Sequence, residues 1–345
     1  MDILKPQRLR FGDTVAVVST SWGGPYVFPH VFDKGVAVLR ERFGLTVREM
    51  PTTRMSPDDL MRDPERRAAD LNDAFADPEV HAIVATIGGN ESARILRYLD
   101  VDTIRANPKV FMGYSDTIAQ LAFVHQLGLV TFQGPAVMAG FAQLENFPEA
   151  QRHIRSVLFD PQDTYTYQQY PWWTPRYEDW NDPECDGRVM TPFDHDGWHW
   201  ISGSGTAVGQ LFGGCIEVLE FLKGTDYWPT KDFWRGRIVF FETSEDKPTI
   251  DQIRYWLFNY GLQGVFDSAS AVLFGRARDY TPEEKIDLDC AIREVVVDQF
   301  GATDLPIVTN LDFGHTDPQW IMPLGVRAEI DCAKKSFRLL EPAVR

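Results

Sequence analysis

The sequence Lys109-Val-Phe-Met-Gly-Tyr-Ser-Asp-Thr-Ile-Ala-Gln-Leu-Ala-Phe-Val124 places a serine between two apolar runs. The first run predicts a buried strand over residues 109–112, and the second predicts a helix over residues 117–124. A serine in a tight turn from strand to helix exposes its hydroxyl group above the N–H groups of the helix N-terminus. Ser115 therefore has the position expected of the nucleophile in a serine hydrolase.

The same turn allows a second interpretation. Ser115 and Asp116 are both good N-cap residues, so the pair could serve only to begin the helix. The Gly-x-Ser-x-Gly pattern of a nucleophile turn is also incomplete, because Thr117 stands where a second glycine is expected. On these residues alone the two interpretations have equal weight.

Segments before this stretch alternate between strands and helices. Strands are predicted over residues 13–19, 45–50 and 81–87, and helices over residues 31–43 and 58–76. Near-continuous apolar strands joined by helices are typical of a parallel sheet covered on both faces. Ligands bind at the carboxyl ends of strands in such sheets. The Gly88-Gly89 turn and Ser115 are therefore expected in one pocket.

Residues 161–205 have a different character, with little periodicity and many Pro, Asp and Gly residues. Aromatic side chains crowd this segment: Tyr165, Tyr167, Tyr170, Trp172, Trp173, Tyr177, Trp180, Trp198 and Trp200. A long irregular segment in a compact protein is often a binding loop or lid. The alternative is a linker whose aromatic residues fill a domain interface, and we favour the ligand-facing loop.

Residues 206–345 return to a regular pattern of apolar strands. Strands are predicted over 207–212, 237–242, 270–275, 306–310, 321–325 and 327–331, and a Gly213-Gly214 turn is expected to lead into a helix. The fold class predicted is α/β, with an N-terminal parallel-sheet (Rossmann-like) nucleophile domain over residues 1–160. The aromatic-rich segment over 161–205 then precedes a C-terminal α/β domain with a β-rich core over 206–345.

Two residues of the C-terminal domain could complete a catalytic set with Ser115. His315 lies in the turn-like segment Asp312-Phe-Gly-His-Thr-Asp-Pro318 and could accept the serine proton. Glu242 ends an apolar strand, where a carboxylate needs a partner, and could orient the imidazole. The alternatives are a loop histidine without a catalytic role and a structural ion pair of the glutamate with Arg237, Lys247 or Arg276.

Attack by a serine also requires donors that hold the oxyanion formed in the reaction. The backbone N–H of Asp116, the residue after Ser115, is one candidate. A second could come from Gly88 or Gly89, where the missing side chain lets the backbone approach a ligand.

Composition and charge exclude several classes of protein. The chain has 345 residues, 50 acidic against 34 basic side chains and a formal net charge of −16, which argues against a nucleic-acid partner. No apolar run approaches the roughly 18 residues needed to cross a bilayer. The N-terminus lacks the basic start and apolar stretch of a signal peptide, so a cytoplasmic location without a membrane partner is expected.

Cofactor and metal motifs are not found either. The sequence has no tight cluster of metal ligands, and neither Gly-x-Gly-x-x-Gly nor a Walker A pattern follows the first strand. We therefore expect no metal and no cofactor. Cys185, Cys215, Cys290 and Cys332 are widely spaced and are expected to be reduced.

Several ordered blocks resemble the S66 family of serine peptidases, which contains muramoyl-tetrapeptide L,D-carboxypeptidases and their microcin C immunity relatives. The resemblance covers nearly the whole chain. It implies a Ser-Glu-His triad of Ser115, Glu242 and His315, oxyanion donors in the backbone of Gly88 and Asp116, and a homodimer. The blocks are Gly12–Ser19, Ile87–Asn90, Gly113–Asp116, Leu129–Pro135, Gly209–Gly214, Glu242, Gly264–Asp267 and Gly314–Thr316.

The resemblance implies a small-molecule substrate of one of two classes. The carboxypeptidase branch releases D-alanine from a murein peptide in murein recycling. The immunity branch cleaves the amide (carboxamide or phosphoramidate-side) bond between an aminoacyl or peptidyl group and a modified nucleotide, whose base is held by loop aromatics. The length of the chain and its Trp-rich segment favour the immunity branch.

The resemblance to the immunity branch implies candidate substrate-binding residues. Trp172, Trp173 and Trp180 are the candidates for a platform on which the base stacks, and Gly89 lies at the expected pocket. Lys247 could meet a phosphate or carboxylate of the substrate, or could equally be a solvated loop lysine.

A protein of another class, a non-catalytic nucleotide- or peptide-binding protein on the same fold, is the remaining alternative. Such a protein would not need His315 aligned with Ser115. The presence of all three triad residue types in the family's order favours the enzyme.

Overall fold

The computed structural model describes residues 3–185 and 187–345. Its strands are β1 (Thr14–Val18), β2 (Thr46–Glu49), β3 (Val80–Ala85), β4 (Val110–Gly113), β5 (Thr131–Gln133), β6 (Tyr165–Thr166), β7 (Trp172–Trp173), β8 (Phe193–Asp194), β9 (His199–Ser202), β10 (Thr206–Cys215), β11 (Arg237–Glu242), β12 (Ala271–Gly275), β13 (Ile307–Leu311), β14 (Met322–Leu324), β15 (Arg327–Asp331) and β16 (Ser336–Leu339).

The α-helices are α1 (Gly24–Val27), α2 (Pro29–Phe43), α3 (Pro57–Arg62), α4 (Pro64–Ala76), α5 (Val101–Ala106), α6 (Ile118–Gln126), α7 (Pro148–Leu158), α8 (Ile216–Glu220), α9 (Ile250–Leu262), α10 (Val265–Ser268) and α11 (Pro282–Arg293). Short 3₁₀ turns lie at Ser92–Tyr98, Ser115–Thr117, Phe141–Asn146, Pro183–Cys185 and Lys231–Trp234, and a π-helical turn lies at Glu294–Gln299.

A six-stranded sheet carries the N-terminal half of the chain. Its strand order is β14-β5-β4-β3-β1-β2, and the five strands from the N-terminal half run parallel to one another. The strand β14 joins its edge in the antiparallel direction. Residues of β1, β3 and β4 are almost all buried, as expected for strands covered on both faces. The predicted parallel sheet is therefore confirmed.

An eight-stranded sheet carries the C-terminal part, with the order β6-β16-β15-β10-β11-β12-β13-β9. The four central strands β10 to β13 are parallel, and antiparallel strands flank them on both sides. The β-rich core predicted for this region is confirmed. The aromatic-rich segment is not purely irregular, because it supplies β6 and β9, the two edge strands of this sheet.

Two local predictions were wrong. The helix predicted over 58–76 is divided into α3 and α4, because Pro64 cannot continue the first helix and instead begins the second. The Asp63 side chain caps α4 by accepting a hydrogen bond from the Arg66 N–H. The predicted Gly213-Gly214 turn is part of β10, which continues to Cys215.

Gly213 lies in β10 because neighbouring backbone leaves no room for a side chain. A Cβ atom at this position would lie 1.7 Å from the carbonyl oxygen of Phe240 in the paired strand β11. We expect Gly213→Ala to lower the free energy of unfolding by about 3 kcal/mol, since the two central strands must separate. Urea unfolding measures this change.

The matched control for that substitution is Val208→Ala, at an exposed position of the same strand. It should change the free energy of unfolding by less than about 0.5 kcal/mol. Equal unfolding midpoints for Gly213→Ala and the wild-type protein would contradict the steric account.

The thiols of Cys215, Cys290 and Cys332 are free, as predicted. The side chain of Cys185 lies outside the described part of the chain. Across the described residues, none of the helices combines the length and the apolar character that a membrane span requires.

Candidate active site

Ser115 lies two residues after the end of β4, at the carboxyl end of the six-stranded sheet, as the sequence predicts. Its backbone has a φ of 58°, a left-handed conformation that is rare for a residue with a side chain. Gly113 permits this tight turn, because a Cβ atom there would lie 2.8 Å from the Thr117 side chain. A strained serine between a strand and a helix is the arrangement of a nucleophile turn.

Gly88, in the segment that follows the neighbouring strand β3, lies against Ser115. A Cβ atom on Gly88 would lie 2.8 Å from Ser115 Oγ and 3.4 Å from the backbone nitrogen of Asp116. Only glycine therefore fits beside the hydroxyl. The next residue, Gly89, has a φ of +142° and also lines the cavity at Ser115. The structure thus brings together the residues predicted to hold the oxyanion.

The Asp116 side chain fastens the glycine turn to the serine turn. Its buried Oδ2 atom accepts hydrogen bonds from the Ser21 hydroxyl (2.5 Å) and from the N–H groups of Glu91 (2.8 Å) and Ser92 (2.7 Å). No side-chain cap hydrogen bond begins α6. The interpretation of Ser115 and Asp116 as helix caps is therefore not supported, and the sequence had not revealed the role of the Asp116 carboxylate as an anchor.

Glu242 and His315 form a buried pair in the C-terminal part of the chain. Glu242 ends β11, His315 follows β13, and the distance from His315 Nδ1 to Glu242 Oε2 is 2.6 Å. Two glycines leave room for the carboxylate, since Cβ atoms on Gly275 and Gly314 would lie 3.0 Å and 2.9 Å from the Glu242 side chain. The carboxylate is thus built to hold one imidazole nitrogen.

The charges around this pair favour a protonated imidazole. Burial raises the pKa of Glu242, against the opposing effect of His315. Burial lowers the pKa of His315, but Glu242, Glu245 and Glu217 outweigh that effect, so the pKa of His315 lies above its ordinary value. Such surroundings stabilise the imidazolium that forms when a histidine takes a proton from serine.

Ser115 and His315 line one cavity of about 210 Å³. Among the described residues, His315 Nε2 has no hydrogen-bond partner, and Glu245 Oε2 lies 3.3 Å from it. Hydrogen bonds of catalytic groups often close only when substrate is bound. The other lining residues are Trp22, Ile87, Gly88, Gly89, Tyr114, Tyr177, Trp180, Glu245 and Arg278.

Trp180 lies in the wall of this cavity, beside a second one. Its ring stacks on Tyr177 with centroids 4.3 Å apart and planes 11° apart, and Phe28 packs against it at 5.6 Å. Trp180 and Tyr177 also line an adjoining cavity of about 470 Å³, together with Phe28, Arg176 and Met190. Aromatic rings therefore separate the Ser115 cavity from a larger neighbouring space.

The other two candidate tryptophans lie elsewhere. Trp172 packs on Phe147 at 4.9 Å, and the buried Trp173 stacks on Phe193 at 5.1 Å. The two tryptophans form β7, which pairs with β8, and neither lines the Ser115 cavity. Of the three, only Trp180 is brought to the site.

Lys247 is also placed away from the lining of the Ser115 cavity. Its ammonium group pairs with Glu284 at 2.8 Å and lies 5.6 Å from the centre of the Tyr280 ring. The cationic side chain in the lining is instead Arg278, which the sequence analysis did not single out.

A buried network holds the turn that precedes His315. Arg276 and Asp312 are fully buried and form an ion pair at 2.6 Å. Asp312 also accepts from the Trp198 indole N–H at 2.9 Å and lies 3.2 Å from His195 Nε2. Because the Gly197 N–H donates to His195 Nδ1, the proton of this histidine belongs on Nε2. The aromatic-rich segment thereby supports the turn that carries His315.

Comparison with known proteins identifies both halves of the chain. Residues 15–134 match the model of the LD-carboxypeptidase N-terminal domain, and residues 208–330 match that of the LD-carboxypeptidase C-terminal domain. These are the two domain models of peptidase family S66.

Full-length relatives and solved structures agree with these matches. A Vibrio cholerae protein named as a carboxypeptidase is 30% identical over 341 residues, which cover 98% of each chain. The microcin C7 self-immunity protein MccF of Escherichia coli is 28% identical over 344 residues, 96% of this chain and 94% of MccF. The structure of MccF in complex with glutamyl sulfamoyl guanosine has a TM-score of 0.84 at 26% identity, covering 99% of this chain and 100% of MccF.

The two domain matches span most of the sequence, and the α/β architecture with its two sheets is shared with MccF. The chain therefore belongs to the LD-carboxypeptidase family, peptidase family S66, and is a serine-type peptidase.

Proposed function

We propose that this peptidase hydrolyses the amide bond between an aminoacyl or peptidyl group and a modified nucleotide, as an immunity enzyme of the microcin C type. The observation that carries this proposal is the pair of stacked rings, Tyr177 and Trp180, between the Ser115 cavity and the adjoining cavity. The similarity to MccF, whose structure has been solved with glutamyl sulfamoyl guanosine, supports it.

In the proposed acylation step, Ser115 Oγ attacks the carbonyl carbon of the substrate while His315 Nε2 takes the hydroxyl proton. Glu242, 2.6 Å from Nδ1, orients the ring and stabilises its positive charge. The N–H groups of Gly88 and Asp116 hold the oxyanion. When the tetrahedral intermediate collapses, His315 gives its proton to the leaving nitrogen, and the acyl group stays on Ser115 as an ester.

In the proposed deacylation step, water replaces the leaving group. His315 Nε2 accepts a proton from this water as it attacks the ester carbonyl, and then returns the proton to Ser115 Oγ. The products are the free amino acid or peptide and the nucleotide amine.

The stacked rings of Tyr177 and Trp180 form the aromatic wall of the cavity, which gives a nucleotide a binding energy that a simple peptide lacks. Stacking of a base on an aromatic side chain contributes about 1–3 kcal/mol. One face of Trp180 is covered by Tyr177, so we place the base against the rest of the indole, on the side of the adjoining cavity. The acyl group then lies at Ser115.

A murein tetrapeptide carboxypeptidase that releases D-alanine is the second candidate. It is supported by the Vibrio cholerae relative, which is named as a carboxypeptidase and is as similar to this chain as MccF. In that function the same three residues would act, and the aromatic wall would only shape the cavity.

The deciding experiment offers the pure protein an aminoacyl sulfamoyl adenosine and, separately, a murein tetrapeptide, and follows the products by mass spectrometry. Release of the free amino acid from the nucleotide at the higher kcat/KM supports the proposal. Release of D-alanine alone would replace it with the carboxypeptidase function.

The Trp180 side chain provides a sharper test of nucleotide selection. We expect Trp180→Ala to lower kcat/KM for the aminoacyl sulfamoyl adenosine by about 10- to 100-fold through the loss of stacking. Trp172→Ala, outside the cavity lining, is the matched control and should leave this kcat/KM near the wild-type value. Equal losses in the two variants would contradict a base platform at Trp180.

We also propose that the chain forms a homodimer. Tyr255, Phe258 and Leu262 project from one face of α9 and are 72%, 42% and 66% exposed, an apolar stripe that a second copy could cover. Light scattering coupled to gel filtration should give twice the 39.3 kDa mass of one chain. A monomeric mass at micromolar concentration would contradict this proposal.

A further inference from the structure

Arg278 is a cation in the wall of the Ser115 cavity whose hydrogen-bonding capacity is not filled. Its side chain is 11% exposed, and its Nε atom has no hydrogen-bond partner among the described residues. Among the described residues its one ion-pair partner within 4 Å is Asp279, whose Oδ2 atom lies 3.5 Å from this Nε atom, and the guanidinium also hydrogen-bonds the Tyr177 side chain. Asp279 is shared with Arg176, which lies closer to it at 3.1 Å.

A guanidinium placed in this way has donors available for a ligand. A buried donor without a partner costs free energy, and the cost is larger for a charged group. The planar fork of arginine matches the oxygen atoms of a carboxylate, sulfamoyl or phosphoryl group. The position of this nearly buried guanidinium in the cavity lining therefore favours an anionic ligand.

Glu245 shows where this anion would lie. Its Oε2 atom is 3.3 Å from His315 Nε2, the atom that must give a proton to the leaving nitrogen. Burial lowers the pKa of Arg278, but Tyr177 and then Glu245 raise it above its ordinary value. The Glu245 side chain is 55% exposed in the turn after β11, so it can swing into solvent.

We propose that Arg278 binds a negatively charged group attached to the leaving nitrogen of the substrate, and that the Glu245 carboxylate, which lines the same cavity beside His315 Nε2, competes with this group. The inference rests on the acyl-transfer function proposed above and deepens it. It places the anion on the side of the leaving group, because Glu245 contacts the nitrogen of His315 that serves the leaving group.

Both candidate substrates meet this requirement in chemically similar ways. An acyl phosphoramidate nucleotide carries its negative charge on the phosphoryl oxygens next to the scissile nitrogen. An acyl sulfamoyl nucleotide ionises at the scissile nitrogen and shares the charge with the neighbouring sulfonyl oxygens. A peptide that ends in D-alanine carries a carboxylate one carbon away from that nitrogen. An uncharged amide of either type would lack the group that Arg278 binds.

The test compares charged and neutral members of two substrate pairs. One pair is an aminoacyl sulfamoyl adenosine and the matching aminoacyl amide of 5′-amino-5′-deoxyadenosine. The other pair is a murein tetrapeptide and its C-terminal amide. The pair that is hydrolysed identifies the source of the anion. For each member, kcat/KM of the variant is divided by that of the wild-type protein, so the different intrinsic reactivities of the charged and neutral members cancel.

Arg278→Met should lower kcat/KM for the charged member by about 10- to 100-fold, the value of a hydrogen bond to a charged group, and leave the neutral member unchanged. Arg278→Lys should restore part of the loss. Lys247→Met is the matched control, since Lys247 pairs with Glu284 outside the cavity lining, and should change neither member. Equal losses for both members in Arg278→Met would overturn the inference.

Glu245→Gln tests the second half of the proposal. Removal of the competing carboxylate should lower KM for the charged member by about two- to fivefold, as for a partly exposed ion pair, without changing KM for the neutral member. A higher KM for the charged member would show that Glu245 helps to bind the substrate and does not occupy its place.

Binding measurements separate this inference from the proposed function. Titration calorimetry on Ser115→Ala protein, with and without Arg278→Met, measures affinity for each pair in the absence of turnover. Weaker binding of only the charged member supports the inference even if the wild-type protein hydrolyses neither pair. Hydrolysis that depends on Ser115 but is indifferent to Arg278 would overturn the inference and leave the function standing.

Discussion

Replacement of Ser115 by alanine should reduce kcat by about 10⁴- to 10⁶-fold, because no other group can form the acyl-enzyme. The fold should be unaffected. Alanine at a φ of 58° has the same backbone strain as serine, and no hydrogen bond to the hydroxyl is lost within the described residues. The free energy of unfolding should therefore change by less than about 0.5 kcal/mol. Single-turnover kinetics and urea unfolding measure the two quantities.

Ser204→Ala is the matched control for this substitution, since Ser204 is an exposed serine in the turn before β10. Its kcat should equal that of the wild-type protein. Hydrolysis by Ser115→Ala at a rate near that of Ser204→Ala would show that the nucleophile is another group.

Replacement of Glu242 by glutamine has the second largest expected effect, a loss of about 10³- to 10⁴-fold in kcat. The amide has the shape of the carboxylate, so it fits the space that Gly275 and Gly314 leave open. It carries no charge to stabilise the imidazolium and can hold the wrong tautomer of His315. The loss should appear in kcat more than in KM, because the charge forms only during the reaction.

The pH profile of Glu242→Gln distinguishes a catalytic from a structural loss. Burial lowers the pKa of His315 while Glu242 raises it, and the net result is a raised pKa. His315 must be neutral to accept the serine proton, so activity rises as pH increases through this pKa. Without the carboxylate the pKa falls, and the acidic limb of kcat/KM should move to lower pH.

Glu284→Gln, at a partly exposed glutamate paired with Lys247, is the control and should leave both the rate and the profile unchanged. An acidic limb that stays in place in Glu242→Gln, together with a normal rate, would contradict the role assigned to the buried pair.

The sequence predicted the parallel sheet well, because the strands β1, β3 and β4 are continuous apolar runs that only a doubly covered sheet can bury. The sequence-based prediction failed at two places, where a contact between strands or a single proline overrides the local pattern. The pair Gly213-Gly214 is typical of a turn, but the close approach of Phe240 in β11 requires a glycine at position 213 inside a strand. Pro64 divides a helix whose apolar spacing runs on without interruption.

The sequence predicted those residues of the candidate site that lie at or just after the ends of predicted strands. Ser115 follows β4, Glu242 ends β11, and His315 follows β13, so each lies at the carboxyl end of a strand. Arg278 follows β12 at the same edge, and that position was the available signal. It was missed because a charged residue after a strand is ordinarily a solvated one.

The tryptophans could not be ranked from the sequence, because all three lie in an aromatic segment without periodicity. Their roles depend on partners far away in the chain: Trp180 meets Phe28, whereas Trp172 meets Phe147. The anchoring role of the Asp116 carboxylate likewise depends on Ser21 and on the turn that contains Glu91.

Covalent labelling shows directly whether Ser115 is the nucleophile of this peptidase. The wild-type protein is treated with a fluorophosphonate, digested and mapped by tandem mass spectrometry, beside Ser115→Ala and His315→Asn. We expect one adduct, on Ser115, that is lost in Ser115→Ala and forms far more slowly in His315→Asn. An adduct on a different serine, or equal labelling of Ser115→Ala, would contradict it.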